Sequence, residues 1–318
     1  MLHDTYHGPE NAESPVGDYM DIKNVLVPVD FSPPSRLAVN YAVSLARKFR
    51  AKLTLMNVVE SASALAHPFT AHSATIEKEH REQAARMLSA LLGSEDQDDL
   101  DLRVVVKSGN IKNEILAVIR EQDADILVMG THGRGLFGRW VIGSITEGML
   151  RKISIPILTV CRATKPLTFD RILFATDLSE SSKPGFDFAL ELARTMRSDL
   201  VIVHAVEQTA LTYVGAEMVQ YVSQHNIEEA KAKLAEFVAD SSIAKIKIDM
   251  VVVEGVAAEE ILKAAELNGA DLILLTLGKK GFVEHALLGT TAERVIREAN
   301  VPVLSIPAGV GLEREQMA

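Results

Sequence analysis

The strongest constraint on the fold of this chain is that its sequence repeats. The block NVLVPVDFS matches RILFATDLS later in the chain, which aligns Asp30 with Asp177. Further blocks follow in the same order: DADILVMG matches GADLILLT, and GSITEGMLRKISIPILTV matches GTTAERVIREANVPVLSI. Because chance does not preserve both the order and the spacing of several blocks, the chain contains one domain twice.

Each copy alternates short apolar runs with longer amphipathic stretches. The runs are rich in Val, Ile and Leu and almost continuously apolar, which is typical of strands buried on both faces of a parallel sheet. They lie at 24–29, 53–59, 103–107, 126–130 and 156–160, and again at 171–176, 200–206, 247–253, 271–276 and 302–306. The alternation predicts right-handed βαβ crossovers. The expected fold class is α/β, with two tandem doubly wound domains, each a five-stranded parallel sheet with helices on both faces.

The amphipathic stretches have helical spacing. Apolar residues between Leu37 and Phe49 recur at i, i+3, i+4 and i+7, which indicates a helix with one buried face. Ser32 is suited to cap this helix, with Pro33 at its first position, and Ser179 is expected to do the same in the second copy.

Composition excludes several classes of protein. With 47% hydrophobic and 24% charged residues, the chain is neither disordered nor fibrous. Its single cysteine, Cys161, cannot form an internal disulfide, and no segment is a signal peptide or a membrane span of ~20 apolar residues. The formal net charge of −10 disfavours nucleic acids and membranes as partners. We therefore expect a cytoplasmic protein.

The repeat also sets the expected domain boundaries. The two copies are joined by the polar segment RATKPLT. The first residues form a polar extension, which is expected to be poorly ordered although part of it could dock on the body. The predicted organisation is an N-terminal extension at 1–21, domains at 22–163 and 168–309, and a tail at 310–318.

One glycine-rich segment stands out in the first copy. GTHGRGLFGRWVIGS, residues 130–144, follows the fourth predicted strand, contains five glycines and opens a helix at Gly143. Glycine lets a backbone approach a ligand closely, and a helix N-terminus offers unpaired N–H groups to an anion. Ser144 would add a hydroxyl and cap the helix. Since ligands of open α/β sheets bind at the carboxyl ends of strands, where Asp30 also lies, the segment predicts a phosphate-binding site.

Other interpretations of this segment fit less well. It contains G-x-G-x-x-G at Gly133, Gly135 and Gly138, but it follows the fourth strand of its unit, whereas a nicotinamide or flavin fingerprint follows the first. The Walker A pattern of P-loop nucleotidases is absent from the sequence. The three histidines within 67–80 lack cysteine or carboxylate companions at ligand spacing, so we expect no metal site.

The spacing G-x2-G-x9-G-[ST], which runs from Gly130 to Ser144, has a specific resemblance. Together with VPVD at the end of the first strand and NVVE at the end of the second, it resembles the universal stress protein family. The resemblance covers about 22–160 and again 171–306 and implies a tandem, two-domain member. In that family the glycine spacing marks the branch that binds ATP.

The resemblance also implies site residues and a ligand, ATP with Mg²⁺. It assigns Asp30 to the ribose or adenine side and Val58 to the adenine pocket. The remaining positions are Pro28 and Val29 beside the base, and Gly130, Gly133, Gly143 and Ser144 at the phosphates. Further candidates in the same loop are His132, Arg134 and Arg139, for which packing or a solvent-exposed role is the alternative.

The second copy departs from this pattern. Thr276 and Lys279 replace the first two glycines, although Gly289 and Thr290 are kept at the helix start and Asp177 at the strand end. A side chain at either position would intrude where the backbone should meet phosphate, although a lysine could instead neutralise one. We expect one competent ATP site, in the first copy, and a degenerate second site.

The function expected from the resemblance is nucleotide-dependent choice of protein partners in stress response or signalling. Hydrolysis would be slow at most, because we find no general base and no carboxylate pair for Mg²⁺. The alternatives are a nucleotide-free interaction module and, less well supported, an adenylyl-transferring enzyme. Family members dimerise through their last strand, so IPILTV and VPVLSI are expected to pair as an intramolecular pseudo-dimer, and two chains could form a homodimer.

Overall fold

The structure is a computed structural model, and it describes residues 2–6, 20–60, 71–93, 99–131, 142–160, 168–207, 216–239, 246–278 and 288–308. The chain divides into two compact units. The first domain is Asp21–Ala163, and the second domain combines Met1–Met20 with Thr164–Ala318. The predicted tail at 310–318 and most of the N-terminal extension lie outside the described residues.

The chain begins with strand β1, Leu2–Tyr6, which belongs to the second domain. The elements of the first domain then follow in strict alternation. They are β2 (Asn24–Pro28), α1 (Pro33–Phe49), β3 (Lys52–Val59), α2 (Ala71–Ser89), β4 (Leu102–Ser108), α3 (Ile111–Glu121), β5 (Ile126–Gly130), α4 (Ser144–Lys152) and β6 (Ile157–Val160).

The second domain repeats this series. Its elements are β7 (Arg171–Thr176), a 3-10 turn (Glu180–Ser182), α5 (Lys183–Met196), β8 (Asp199–Val206), α6 (Ala216–Ala239), β9 (Ile248–Glu254), α7 (Ala257–Leu267), β10 (Leu272–Leu277), α8 (Thr290–Glu298) and β11 (Val303–Pro307). The ten predicted strands are thus confirmed to within one residue at each end.

Both sheets have the doubly wound order. In the first domain the parallel order is β6-β5-β2-β3-β4, and in the second it is β11-β10-β7-β8-β9. The first strand of each copy lies in the middle, between the second and the fourth. The connections therefore leave it on opposite sides, and a crevice opens at its carboxyl end.

The strands are buried along consecutive residues, as their apolar composition predicts. Val25, Leu26 and Val27 of β2 are each at most 1% exposed, and Ile172, Leu173 and Phe174 of β7 are fully buried. Because neighbouring residues of a strand point to opposite faces, both faces of each sheet are covered. Among the described helices, none is both long and apolar enough to cross a bilayer.

Strand β1 adds a sixth strand to the second domain. It pairs antiparallel with β9, from Leu2 opposite Val252 to Tyr6 opposite Ile248. The expectation of five strands is therefore incomplete for this domain, and part of the extension does lie on the body. The outer edge of β9 presents free backbone N–H and C=O groups, which a short extended segment can satisfy whatever its side chains.

The helix that follows the first strand starts differently in the two domains. Ser32 caps α1 as predicted, and its Oγ accepts from the N–H of Ser35 at 3.4 Å. In the second domain the prediction is wrong, because Ser179 precedes the 3-10 turn and the residue before α5 is Ser182. Pro184 explains the difference, since it has no N–H to donate to the carbonyl four residues earlier.

Candidate functional site

The site predicted for the first domain begins at the carboxyl end of its central strand. Val29 is buried, and its N–H donates to the carbonyl of Met56 at 2.7 Å. The side chain of Asn57 donates from Nδ2 to the carbonyl of Val29, also at 2.7 Å. The neighbouring strand β3 therefore binds both the N–H and the C=O of Val29 and fixes the turn after Pro28. Asn57 was not among the predicted site residues.

Asp30 is held in place by the first residues of α1. Its Oδ1 accepts from the backbone N–H of Ser32 at 3.0 Å and from the Ser32 hydroxyl at 2.6 Å. Between them Phe31 has a φ of 66°, which is rare for a bulky side chain and costs free energy. The strained turn fixes where the carboxylate of Asp30 lies.

Gly130 ends β5 beside this turn. A Cβ at Gly130 would lie 2.8 Å from the backbone carbon of Pro34 and 2.9 Å from its oxygen, so α1 leaves no room for a side chain. The carbonyl of Gly130 accepts from the Thr146 hydroxyl of α4 at 2.9 Å. Gly130 thus lets β5, α1 and α4 approach one another.

Helix α4 presents its N-terminus at the same end of the sheet. Its N-cap is Gly143, so the expectation that Ser144 caps the helix is wrong: Ser144 is the first helical residue. Gly143 has an extended conformation (φ −60°, ψ 140°), donates its N–H to Thr131 at 2.7 Å, and makes no side-chain cap. The N-cap residue therefore supplies no side-chain acceptor to the first N–H groups of α4.

Other predicted residues are placed less completely. Val58 is half-buried in β3, next to Asn57. Gly133, His132, Arg134 and Arg139 lie outside the described residues. The structure thus brings the strand ends of Asp30 and Gly130 together, while the rest of the glycine loop stays a prediction.

The corresponding end of the second domain encloses a cavity of about 400 Å³. Asp177, His204 and Glu207 line one part of it, and α8 lines another with Thr290 and Thr291. Apolar lining comes from Ala175, Ala205, Ala257, Ile261 and Leu275. The residues that the sequence assigns to a degenerate site, Asp177, Gly289 and Thr290, therefore share one cavity.

Asp177 accepts hydrogen bonds from two serines that follow it in the chain. Its Oδ1 accepts from the Ser179 N–H at 3.0 Å, the Ser179 hydroxyl at 2.5 Å and the Ser182 hydroxyl at 2.6 Å. Burial raises the pKa of Asp177, but these hydrogen bonds together outweigh it and leave the pKa below its ordinary value. The carboxylate is therefore ionised at neutral pH.

His204 takes the structural role of Asn57. Its Nδ1 lies 3.0 Å from the carbonyl of Thr176, the residue before Asp177. Because a carbonyl oxygen only accepts, Nδ1 carries the proton and Nε2 is an acceptor in the neutral ring. The signal for both residues was in the sequence: they are polar, aligned by the repeat, and stand inside otherwise apolar strands.

Thr276 lines the cavity, and its hydroxyl is turned towards α5. A Cβ on Gly185 of α5 would overlap the Thr276 Oγ1, so this hydroxyl occupies the space that the glycine leaves. The Oγ1 is buried and has no hydrogen-bond partner among the described residues. Ala38 is the residue aligned with Gly185 in the first domain, where Thr276 is matched by Gly130. Compared with the first domain, the second domain therefore has a smaller residue on the helix, Gly185, and a larger one at the strand end, Thr276.

Comparison with known proteins agrees with the repeat. The model of the universal stress protein family matches residues 21–160 and again 168–307. A universal stress protein of Mycolicibacterium smegmatis is 25% identical over 293 residues, which cover 89% of this chain and 96% of that protein. One from Methanocaldococcus jannaschii is 32% identical over 140 residues, or 43% of this chain and 82% of that protein.

Solved structures show the same architecture. The crystal structure of a universal stress protein from Archaeoglobus fulgidus aligns with a TM-score of 0.65 and 20% identity. The alignment covers 91% of this chain and 100% of that one. A single solved chain therefore matches the fold of both domains.

Proposed function

This chain belongs to the universal stress protein family, and from that premise we propose that it binds ATP through its first domain. Nucleotide occupancy would then select its protein partners in stress response or signalling. The observation that carries the proposal is the convergence of Gly130, which has no room for a side chain, with the uncapped N-terminus of α4.

The two ends of this site suit the two ends of a nucleotide. The N–H groups at the start of α4 favour an anionic phosphate, and Ser144 adds a hydroxyl donor. Asp30 is an acceptor suited to ribose hydroxyls, and its hydrogen bonds with Ser32 fix its orientation. Bound Mg²⁺ would be held mainly by the phosphates, with Asp30 or Ser144 assisting.

The proposal assigns binding rather than rapid turnover to the site. Hydrolysis needs a residue that positions or deprotonates water beside the terminal phosphate. Asp30 is committed to Ser32 and to the ribose side, so it does not serve as that base. The nucleotide would then act as a ligand that is held, and release of the partner would follow nucleotide exchange.

Calorimetric titration of ATP·Mg²⁺ into nucleotide-stripped protein tests the proposal. We expect one ATP per chain, and at least a tenfold loss of affinity on Gly143→Glu, because the new carboxylate faces the phosphates. The φ of −60° at Gly143 is open to any residue, so the change is not one of backbone strain. Asn40→Glu adds the same charge on the exposed face of α1 as a control.

Two outcomes would redirect the proposal. No heat from ATP would move the chain to the nucleotide-free interaction class, and partner binding would become its function. Equal losses from Gly143→Glu and Asn40→Glu would mean that net charge, and not the start of α4, governs binding.

We also propose that the last strands of the two domains, β6 and β11, pair within the chain. A protease site inserted at 161–167 would let the intact chain be cut after folding. Because β1 stays on the first half after cleavage and would hold it to β9, the experiment uses a chain that lacks residues 1–6. Co-elution of the two halves in gel filtration after cleavage then supports the pairing, and separation of the halves contradicts it.

A further inference from the structure

We infer that the outer edge of the first domain's sheet, strand β4, is a docking site for an extended acidic segment of a partner protein. The segment adds to the sheet as an antiparallel strand and places its apolar side chains in a groove between β4 and α2. Such a segment is the protein partner that the proposed function requires, and in that respect the inference rests on that function.

The equivalent edge of the second domain already carries an added strand. All five residues of β1 pair antiparallel with β9, with Leu2 opposite Val252. The repeat aligns Val252 with Val106 of β4, and Val251 with Val105. An edge of this kind therefore accepts an extended segment in the present chain, and peptides are commonly recognised by strand addition of this type.

The backbone of β4 has hydrogen-bonding groups to offer such a segment. At the two ends of the strand, Asp101 and Gly109 form backbone hydrogen bonds with β3. Because the backbone groups of successive residues point to alternate sides of a strand, the outer edge receives the N–H and C=O groups of Leu102, Val104 and Val106. Among the described strands, none pairs with that edge.

A groove runs along the same edge. It lies between α2 and β4, has a volume of about 570 Å³, and is lined by Val104, Val106, Ala85 and charged residues of α2. In the second domain the matching groove between α6 and β9 is lined by Met250 and Val252 and measures about 350 Å³. The first domain therefore has more room for the side chains of an added segment.

The helices α2 and α6 explain part of this difference in volume. Their buried residues fall at the same positions of the repeat: Ala84 and Leu88 in α2, Ala230 and Leu234 in α6. In this alignment Ala85 takes the place of Lys231, which lines the second groove and is paired with Glu228 at 2.8 Å. The first groove is wider where the long lysine side chain is replaced by a methyl group.

Helix α2 also lacks one of the ties that hold α6 to its strand. In the second domain the Ser223 hydroxyl donates to the carboxylate of Glu254, at the end of β9. The aligned residues of the first domain are Glu77 and Ser108. The Ser108 hydroxyl is buried and has no hydrogen-bond partner among the described residues. The hydrogen bond between helix and strand end therefore has no counterpart at this pair, in agreement with the wider groove.

The charges along β4 favour an acidic segment. Arg103 and Lys107 lie on the face of the strand opposite to the groove. Arg103 is exposed and donates to the neutral amide of Gln122, so this contact does not neutralise its charge. Lys107 is paired with Glu121 at 2.8 Å. Because opposite charges on directly paired residues stabilise neighbouring strands, carboxylates opposite Arg103 and Lys107 strengthen the addition.

The same charges disfavour a second copy of β4 at this edge. Antiparallel pairing of two β4 strands about Val105 would place Arg103 of each strand opposite Lys107 of the other, and like charges in direct pairs are destabilising. The segment that fits has an acidic residue, an apolar residue, any residue, an apolar residue and an acidic residue in succession. Its two apolar side chains then enter the groove beside Val104 and Val106.

The test uses the full chain and the labelled peptide Ac-TEVTVET-NH2, with Ac-TKVTVKT-NH2 as a control of equal length and apolar content. We expect the acidic peptide to bind at least tenfold more tightly, as measured by fluorescence anisotropy. Non-specific attraction would favour the basic peptide, because the formal net charge of the chain is −10. No binding of the acidic peptide, or equal binding of the two, overturns the inference.

Two substitutions separate the edge from the groove. Arg103→Glu should reverse the preference between the peptides, whereas Lys48→Glu, the same change of charge at an exposed position of α1, should leave it unchanged. Ala85→Lys beside Glu82 recreates the pair found in the second domain, and we expect at least a fivefold loss of affinity. A thermal melt shows that each variant folds. Unchanged binding in the folded Arg103→Glu or Ala85→Lys chain contradicts the proposed docking.

Hydrogen exchange identifies the strand that is covered. With the acidic peptide bound, we expect slower exchange at Leu102, Val104 and Val106, and no change at Arg103 and Val105, which already face β3. Equal slowing at all five positions, or none, overturns the inference. Protection of the first three amides in the free chain that disappears on dilution would show that a second copy covers the edge, which also overturns it.

The two proposals fail separately, because the peptide is measured with and without ATP·Mg²⁺. Absence of ATP binding removes the nucleotide site and leaves the peptide result unaffected. Absence of peptide binding in both conditions removes the docking site at β4 and leaves the nucleotide site unaffected.

Discussion

The two domains share the backbone geometry at the end of their central strand and differ in the side chains around it. In both, the residue after the aspartate has a positive φ, 66° at Phe31 and 60° at Leu178. In both, a side chain of the second strand, Asn57 or His204, contacts the carbonyl before the aspartate. The strained turn is kept, while the side chains around it have changed. The comparison teaches that the backbone shape of the strand end can be kept while the side chains that line it change.

The outer edges of the two sheets differ as well. In the second domain β1 covers β9, whereas no described strand lies outside β4 in the first. Side chains of β9 are buried at Val251, Val252 and Val253, while those of β4 are half-buried or exposed. The outer edge of the second sheet is therefore covered by β1, a strand that lies outside both copies of the repeat.

The largest expected effect comes from exchanging the glycine and the threonine between the domains. Gly130→Thr places a Cβ against the backbone of Pro34, which cannot move without shifting α1. We expect a loss of about 1–3 kcal/mol in the free energy of unfolding, as for an overpacked core, and loss of ATP binding. Urea unfolding and calorimetry measure the two effects.

The reverse exchange is the control. Thr276→Gly removes a buried hydroxyl that has no partner among the described residues, so it should cost less than Gly130→Thr. Adding Ala38→Gly to Gly130→Thr should give little rescue, because the obstruction is Pro34. Equal costs for the two exchanges would mean that the domains accommodate bulk in the same way.

Removing β1 is expected to have the next largest effect. Deletion of residues 1–6 exposes the outer edge of β9 and should lower the stability of the second domain by about 2 kcal/mol, the net worth of a few backbone hydrogen bonds. Hydrogen exchange measures the result strand by strand. We expect faster exchange along β9 and no change along β4; equal changes on both edges would show that β1 does not act on β9.

A smaller difference is expected from the serines before the first helices. Ser32→Ala removes a helix cap and a hydrogen bond to Asp30, at a cost of about 1 kcal/mol. Ser179→Ala should cost less, because Ser182 still donates to Asp177. Chemical denaturation of both variants gives the comparison, and a larger cost for Ser179→Ala would reverse our account of the two turns.

The sequence predicted the repeated frame because that frame follows from local patterns. Continuous apolar runs placed the ten strands, and the position of Gly130 to Ser144 after the fourth run placed the loop at the strand ends. Strand β1 was not predicted, because an edge strand is held by its backbone and its partner β9 lies far along the chain. A contact that spans the chain leaves no periodic signal in a short segment.

The side-chain exchanges were only partly predictable, for a related reason. Thr276 was visible as a lost glycine, but its effect depends on Gly185, which lies on another element. The start of α5 was misplaced because Ser179 resembles Ser32, while Pro184 decides the outcome. In each case the residue that matters is the neighbour in space and not the aligned residue.

The smallest expected effect concerns acid stability. The pKa of Asp177 is lowered from 3.8, because hydrogen bonds from Ser179 and Ser182 outweigh the opposing effect of burial. The unfolded chain therefore binds the proton more tightly, and the stabilisation from Asp177 is present above pH 3.8 and is lost as the pH falls below it. Asp177→Asn should reduce the loss of unfolding free energy below pH 3.8. The reduction should be about 0.5 kcal/mol or less, because the site is half open to solvent.

Asp187 in the same domain provides a control of opposite sign. Burial raises its pKa against the opposing charge of Lys183, so the folded chain binds this proton more tightly and gains stability as the pH falls. Asp187→Asn should therefore steepen the loss of stability in acid, whereas Asp177→Asn reduces it. Urea midpoints between pH 3 and pH 6 measure both slopes. If both variants shifted the curve in the same direction, the hydrogen bonds at Asp177 would not be the cause of its acid sensitivity.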